Sequence, residues 1–416
     1  MPRERKNNHW RWGIAIFLMA LLVRSVWGAY RYTRADDPAI LEFPDEEQYW
    51  SMAGSLWSGE GLRDELGFQA TRMPLFPAVL SVFHAIPNGL LAAKTLLWFV
   101  GALAAAATTL AATALFDRRI GIIAGLLVAF DPFLIFFSSL LLSETPYVTA
   151  LAVLWWTLWP LTRRDPIAGQ PARWIAVGLL SALCVYLRES SIGLIVFSMG
   201  FVLVCRRCDG KSVAGSALVL GVVIAALIPW AARNRAVTGD WCWLTHRAGI
   251  SLYDGVGPQA TGASDLGDVK QSEAVRGLNE VAWNRYFLDQ AVGAIKHDPG
   301  RVIRLAGVKL KRMWNPIPNV ETYRSGAVRW LSAAWTIPTF ALAAVAALLL
   351  FARGGENRRA ALFLLVPAVY FSGVHSLFVG SVRYRLAAIP MIEVLAAVSL
   401  AAIYQKIRQH GTRKAK

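Results

Sequence analysis

Apolar residues in this chain arrive in blocks long enough to cross a bilayer, and that feature alone removes most folds from consideration. A hydrocarbon core about 30 Å thick takes roughly 20 helical residues to cross. Such blocks recur at approximately 13–30, 91–116, 120–139, 146–161, 173–188, 191–205, 213–231, 329–351, 360–379 and 386–404. A lipid-exposed chain must satisfy its backbone internally, so the blocks point to an all-α polytopic membrane protein with about ten transmembrane helices. Composition agrees: 56% of the 416 residues are hydrophobic and 17% are charged. The basic start followed by apolar Gly13–Tyr30 has the outline of a signal peptide. That stretch is long, contains Arg24 and lacks a small-x-small cleavage site, so the expectation is an uncleaved first span.

The cations sort the connections into two faces. Arg3/Arg5/Lys6/Arg11, Arg118/Arg119, Arg163/Arg164/Arg173, Arg206/Arg207/Lys211, Arg353/Arg358/Arg359 and Lys406/Arg408/Arg413/Lys414/Lys416 fall in alternate connections. The positive-inside rule then puts these loops and both termini in the cytoplasm. The formal charge of +16 is therefore a mark of topology, and no motif for nucleic acid accompanies it. The expected organisation is one transmembrane domain over 1–416, with two long external loops at 31–90 and 232–328. The first loop opens on Asp36, Asp37, Glu42, Asp45, Glu46 and Glu47, and its Pro74–Ile86 stretch is short enough to be juxtamembrane or re-entrant. The second carries Pro299–Trp314, where Val302, Leu305, Ala306, Leu310, Met313 and Trp314 recur at helical spacing opposite Arg301, Arg304, Lys311 and Arg312. This basic amphipathic helix either lies in the interface and draws anionic headgroups or packs on the loop's own small core.

Motifs of soluble enzymes are missing: no GxxxxGK[ST], HExxH or GxSxG is present. Cys205 and Cys208 are spaced like half a zinc site, but Cys184 and Cys242 supply no partner pair. Gly121-x-x-x-Gly125 suits close helix packing within one chain or between two. Chemistry is left to charged groups on the external face. Pro44-Asp45-Glu46-Glu47 begins a short helix with apolar positions 49, 52, 53, 56 and 57. Acids there gain about 0.3–1 kcal/mol from the helix dipole, which explains acidity at a helix start and nothing more. Glu144 stands at a span margin, where an unpaired carboxylate costs a few kcal/mol. Arg72 before Pro74, Arg188 beside Glu189, Arg233 and Arg235 after Pro229-Trp230, and Arg383 and Arg385 around Tyr384 share that face. The arginine fork matches phosphate. As a group, these residues point to a site that handles a phosphorylated lipid together with a proton transfer.

Several stretches in order carry a resemblance. They are Asp45-Glu46-x-x-Tyr49, Gly59-x-Gly61, Arg72-Met73-Pro74-Leu75-Phe76-Pro77, Leu142-Ser143-Glu144-Thr145 and Leu187-Arg188-Glu189-Ser190. They continue with Pro229-Trp230-Ala231-Ala232-Arg233-Asn234-Arg235, Gly249–Gly255, His297-Asp298-Pro299, Lys309–Pro316, His375-Ser376-Leu377 and Arg383-Tyr384-Arg385-Leu386. Over nearly its whole length the chain resembles the GT-C superfamily of glycosyltransferases, in the branch of lipid A aminoarabinose transferases, protein O-mannosyltransferases and the RgtA/B/C/D-like group. The resemblance implies a GT-C fold in a bacterial inner membrane and inverting transfer of a sugar from a polyprenyl-phosphate-sugar donor to a lipid, glycan or protein hydroxyl. It makes Asp45 the general base and Arg72 the cation on the donor phosphate, with Arg233, Arg235 and Arg383 as further candidates. Glu46 and Glu144 would orient the acceptor or Asp45, or hold cations in register. Met73 stands where the family usually has the first of two prolines, and Ala387-Ala388 where a proline often follows the Arg-Tyr-Arg motif. No cofactor is required; metal use varies across the superfamily, and no external His/Cys cluster demands one. A transporter or flippase of a lipid-linked saccharide is the alternative, although no internal repeat is visible.

Overall fold

The computed structural model describes residues 9–34, 41–164, 170–266, 273–324 and 326–414. Arg3, Arg5, Lys6, Asp36, Asp37 and Lys416 from the charge pattern lie outside them. Among the described residues every regular element is a helix. The first half holds α1 (His9–Arg34), α2 (Pro44–Trp57), α3 (Leu75–Ser81), α4 (Gly89–Leu115), α5 (Arg118–Phe130), α6 (Pro132–Phe137), α7 (Glu144–Leu158), α8 (Gln170–Leu187) and α9 (Ser191–Arg206). The second holds α10 (Gly210–Thr238), α11 (Ala248–Val256), α12 (Glu280–His297), α13 (Pro299–Met313), α14 (Gly326–Arg353), α15 (Gly355–Leu377), α16 (Val382–Arg385) and α17 (Ile389–Lys414).

Seven helical stretches are long and apolar enough to cross a membrane: Trp10–Arg34, Gly89–Leu115, Gln170–Leu187, Gly210–Thr238, Gly326–Arg353, Gly355–Leu377 and Val382–His410. The other three expected spans coincide with shorter pieces. The block at 146–161 is the 15-residue α7 continued by a 3-10 turn, and that at 191–205 is the 16-residue α9. The block at 120–139 is broken between α5 and α6. Asp131 leaves the helix with an extended ψ, and Pro132 cannot continue the hydrogen-bond ladder. Asp131 restarts the chain by accepting Leu134 N–H at 2.8 Å. The carbonyls freed at the end of α5 are taken by Arg24, whose Nη1 and Nη2 donate to Ala129 O and Val128 O at 3.2 Å. A charge in the middle of α1 thus solvates the end of a neighbouring helix.

Small residues allow the helices to close up. A Cβ on Gly121 or Gly125 of α5 would lie 2.0 or 1.9 Å from the hydroxyl of Thr113 or Thr109 on α4, so this glycine pair packs within the chain. α4 also packs on α1 and α7, and α17 lies between α5 and α14. Basic connections meet their neighbours locally: Arg118 sits over Trp12, Arg359 over Trp159, and Arg163 reaches Glu356 at 4.0 Å.

The segments at 41–88 and 239–324 carry α2, α3 and α11 to α13. α11 and α12 pack around Ile250, Val275, Trp283 and Phe287, with Phe68 of the earlier segment against them. α13 packs on the loop's own small core through Val302, which meets Val256 and Ala291, and also lies against the spanning helix α15. Val302, Leu305 and Met313 are buried as expected, but the fourth buried position is Lys309. Its Nζ donates to Ser376 O and Leu377 O at 3.2 and 2.6 Å, closing the last turn of α15.

Candidate active site

The first turn of α2 splits neighbouring acids between two jobs. Successive helical residues point about 100° apart. Glu46 turns inward: Oε2 accepts Glu42 N–H and Phe43 N–H at 3.0 and 3.2 Å, and Oε1 accepts Leu141 N–H at 2.6 Å. It is fully buried and closes the capping box of α2. Asp45 turns the other way and meets arginines. Arg72 Nη2 donates to Oδ1, and Arg383 Nη1 donates to Oδ2. Arg383 also donates through Nε to Glu144 Oε1, which takes Arg188 Nη1 at 2.5 Å as well. One guanidinium therefore bridges two carboxylates from α2 and α7.

Polar and aromatic side chains fix these cations. Gln48, one turn along α2 from Asp45, accepts from Arg72 Nε and Nη2 at 2.9 and 2.6 Å and from Arg247 Nη1 at 3.4 Å. Arg72 lies 5.0 Å over the Tyr49 ring, and Arg188 lies 5.9 Å from both Tyr147 and Tyr384. Tyr384 in turn stacks on His375 at 3.9 Å. Arg72 sits on a loop that the later segment grips: Glu280 Oε2 accepts Gln69 N–H and Ala70 N–H, both at 2.9 Å, and His246 N–H donates to Ala70 O at 2.8 Å. Burial by itself would push the Asp45 carboxyl up, but Arg72 and Arg383, with Arg247 beyond them, hold it well below the usual carboxylate range. Burial pushes Arg247 down and Arg72 repels it. Among the described residues Arg247 makes no ion pair within 4 Å. The arrangement is a carboxylate still 28% exposed at its side chain, within a set of fixed cations able to receive an anion.

No protein-family model matches the sequence and no curated protein matches it. Solved structures do. The oligosaccharyltransferase AglB from Archaeoglobus fulgidus, in complex with an inhibitory peptide and a dolichol-phosphate, superposes with a TM-score of 0.61 at 15% identity over 97% of this chain. ArnT from Cupriavidus metallidurans, bound to undecaprenyl phosphate, gives 0.56 at 15% identity over 94%. The fold is that of the GT-C glycosyltransferases. At these identities the likeness is one of fold, and this chain spans 52% of the AglB chain and 60% of the ArnT chain.

Within this GT-C fold, Asp45, Arg72, Glu144 and Arg383 come together as a single cluster. Glu46, Arg233 and Arg235 do not join it. The Glu46 carboxylate is spent on backbone amides, Arg233 donates to Gln69 O at 2.6 Å and so braces the Arg72 loop, and Arg235 is exposed on the last turn of α10. Arg188, noted in the sequence only as a junction cation, is a full member. Arg247 and Gln48 were missed. Gln48 sits inside the acidic motif and shares the Asp45 side of the helix, which is a readable signal; Arg247 stands in a long loop with nothing local to mark it.

Proposed function

We propose that this protein transfers a sugar from a polyprenyl-phosphate-sugar donor to an acceptor hydroxyl, with inversion, at the external face of a bacterial inner membrane. The observation that carries the reading is the Asp45–Arg383–Glu144 bridge with Arg72, Arg188 and Arg247 around it. The lipid phosphates bound to AglB and ArnT support a lipid-phosphate donor for a chain of the same fold. The fall of Lys and Arg in alternate connections along the sequence supports an external site by the positive-inside rule.

In this mechanism the acceptor oxygen attacks the anomeric carbon as the bond from that carbon to the phosphate oxygen breaks. The bonding pair leaves with the phosphate, and the hydroxyl proton passes to Asp45. A placed base of this kind contributes about 10²–10⁴-fold. Arg247, without a carboxylate of its own, meets the donor phosphate first, and Arg72 and Arg383 turn part of their charge from Asp45 toward it. Sharing those cations raises the basicity of Asp45 when the acceptor needs it. The same charges stabilise the departing phosphate. Glu144 keeps Arg188 and Arg383 in register, Arg233 steadies the loop of Arg72, and Glu46 fixes the start of α2.

The test is reconstitution of the purified protein in liposomes with undecaprenyl-phosphate-linked labelled sugars and hydroxyl acceptors. The wild-type protein forms a glycosidic bond, while Asp45→Asn keeps undecaprenyl phosphate binding and loses transfer by at least about 100-fold. Undiminished transfer by Asp45→Asn overturns the assignment of the base. Movement of labelled lipid between leaflets with no new glycosidic bond replaces the transferase with a flippase.

A further inference from the structure

Glu144 is held by only one of its oxygens. Oε1 takes Arg188 and Arg383, whereas Oε2 is buried and meets no donor among the described residues. Arg24 has the complementary defect: Nη1 and Nη2 reach the carbonyls of Ala20, Ala129 and Val128, but Nε is buried without an acceptor. Both residues are sealed from solvent, Glu144 at 3% exposure and Arg24 at 1%. Both line one cavity, together with Gly101 and Thr145, whose volume open to a water-sized sphere is ≈ 10 Å³. That is about the space of a single water; Ala104, Leu134, Phe137, Val148 and Leu386 complete the wall, and the two orphaned polar atoms are the partners a water there would need. Gly101 leaves the room: a Cβ there would lie 2.9 Å from Arg24 Nε and 3.2 Å from Thr145 Cγ2. Thr145, whose hydroxyl already donates to Phe137 O at 3.1 Å, keeps acceptor capacity on the same wall.

We propose that this cavity binds one water, which accepts from Arg24 Nε–H and donates to Glu144 Oε2, and that Arg24 is thereby a positioning residue for the transfer centre. The carboxylate then has a cationic hold on each oxygen, two guanidinium groups directly on one and a third through the water on the other. Because Arg24 is also tied to the carbonyls at the end of α5, the break between α5 and α6 and the orientation of Glu144 become one mechanical unit. The inference rests on the proposed function only for what Glu144 goes on to do.

The direct test is a high-resolution cryo-electron microscopy map of the unmodified full chain in lipid nanodiscs. Density about 2.6–3.2 Å from both Arg24 Nε and Glu144 Oε2 is expected. A map that resolves other buried waters and leaves this cavity empty overturns the proposal. The second measurement is the infrared carboxylate band of Glu144, identified by subtraction of Glu144→Gln. Gly101→Ala, which fills the cavity, is expected to shift that band, and to lower transfer about tenfold with undecaprenyl phosphate affinity unchanged, the loss of one charge-assisted hydrogen bond. An unmoved band in folded Gly101→Ala protein also overturns it. Map and band are read with neither donor nor acceptor present, so a protein that transfers no sugar still decides the water. Transfer by a protein whose cavity is dry would leave the role of Asp45 standing.

Discussion

Asp45 and Glu46 are adjacent, yet one is clasped by guanidinium groups and the other by amides, so their substitutions should separate cleanly. Glu46→Gln weakens three backbone contacts and should lower stability by about 1–3 kcal/mol, read from thermal unfolding in detergent, without loss of lipid-phosphate affinity. Asp45 behaves differently with pH. Its folded carboxyl titrates below the unfolded value of about 3.9, so its stabilising effect is complete above that value and drains away as pH falls toward the depressed folded one. The difference in unfolding free energy between wild type and Asp45→Asn should therefore be flat from about pH 8 to pH 5 and shrink below about pH 4. The acidic motif was legible as a site, but three consecutive acids look alike in a sequence. Only the rotation of about 100° per residue, set against a neighbour as distant as Leu141, tells which acid faces inward. Arg233 and Arg235 show the same limit, since near one helix end one side chain found a carbonyl and the other found solvent.

Among the elements, the loop that carries Arg72 gets its shape from α12. Glu280 holds two consecutive amides of that loop, and Glu280→Ala should free them. Faster proteolysis between 60 and 74 is the expected outcome, together with weaker lipid-phosphate binding that Arg72→Ala does not add to in full, as coupled sites behave. The spanning helices were legible because apolar length is a one-dimensional property. The break at Asp131-Pro132 was also present in the sequence, but an apolar block on either side of it read as one span. What could not be read was that Arg24 supplies the missing hydrogen bonds, because that partner comes from another helix. The burial of Lys309 in place of Leu310 has the same origin: a lysine that ends a neighbouring helix can take an apolar position on its own.

Across the whole molecule, the cluster is closed by residues 338 positions apart, Asp45 and Arg383, with Glu144 and Arg188 between them in sequence. A double-mutant cycle of Asp45→Asn and Arg383→Gln should return a coupling of about 0.5–3 kcal/mol in unfolding free energy, since each contacts the other directly. An additive pair would mean that the two groups do not meet in the folded protein. The all-helical, membrane-spanning architecture followed from the pattern of apolar blocks. The gathering of Arg188, Arg247 and Arg383 around one carboxylate pair did not, because it depends on how spans distant in sequence are arranged side by side.

The arginine in the first spanning helix also bears on how the chain is made. A charge at the centre of a lone helix raises the free energy of insertion by about 2.5–3.5 kcal/mol. Apart from Ala20 O in its own helix, the carbonyls that relieve it belong to residues synthesised 104 and 105 positions later. Arg24→Leu should therefore help the isolated first helix enter microsomal membranes in a glycosylation-reporter assay while lowering the thermal stability of the finished protein. The α1 span is thus expected to become secure in the bilayer only once α5 arrives beside it.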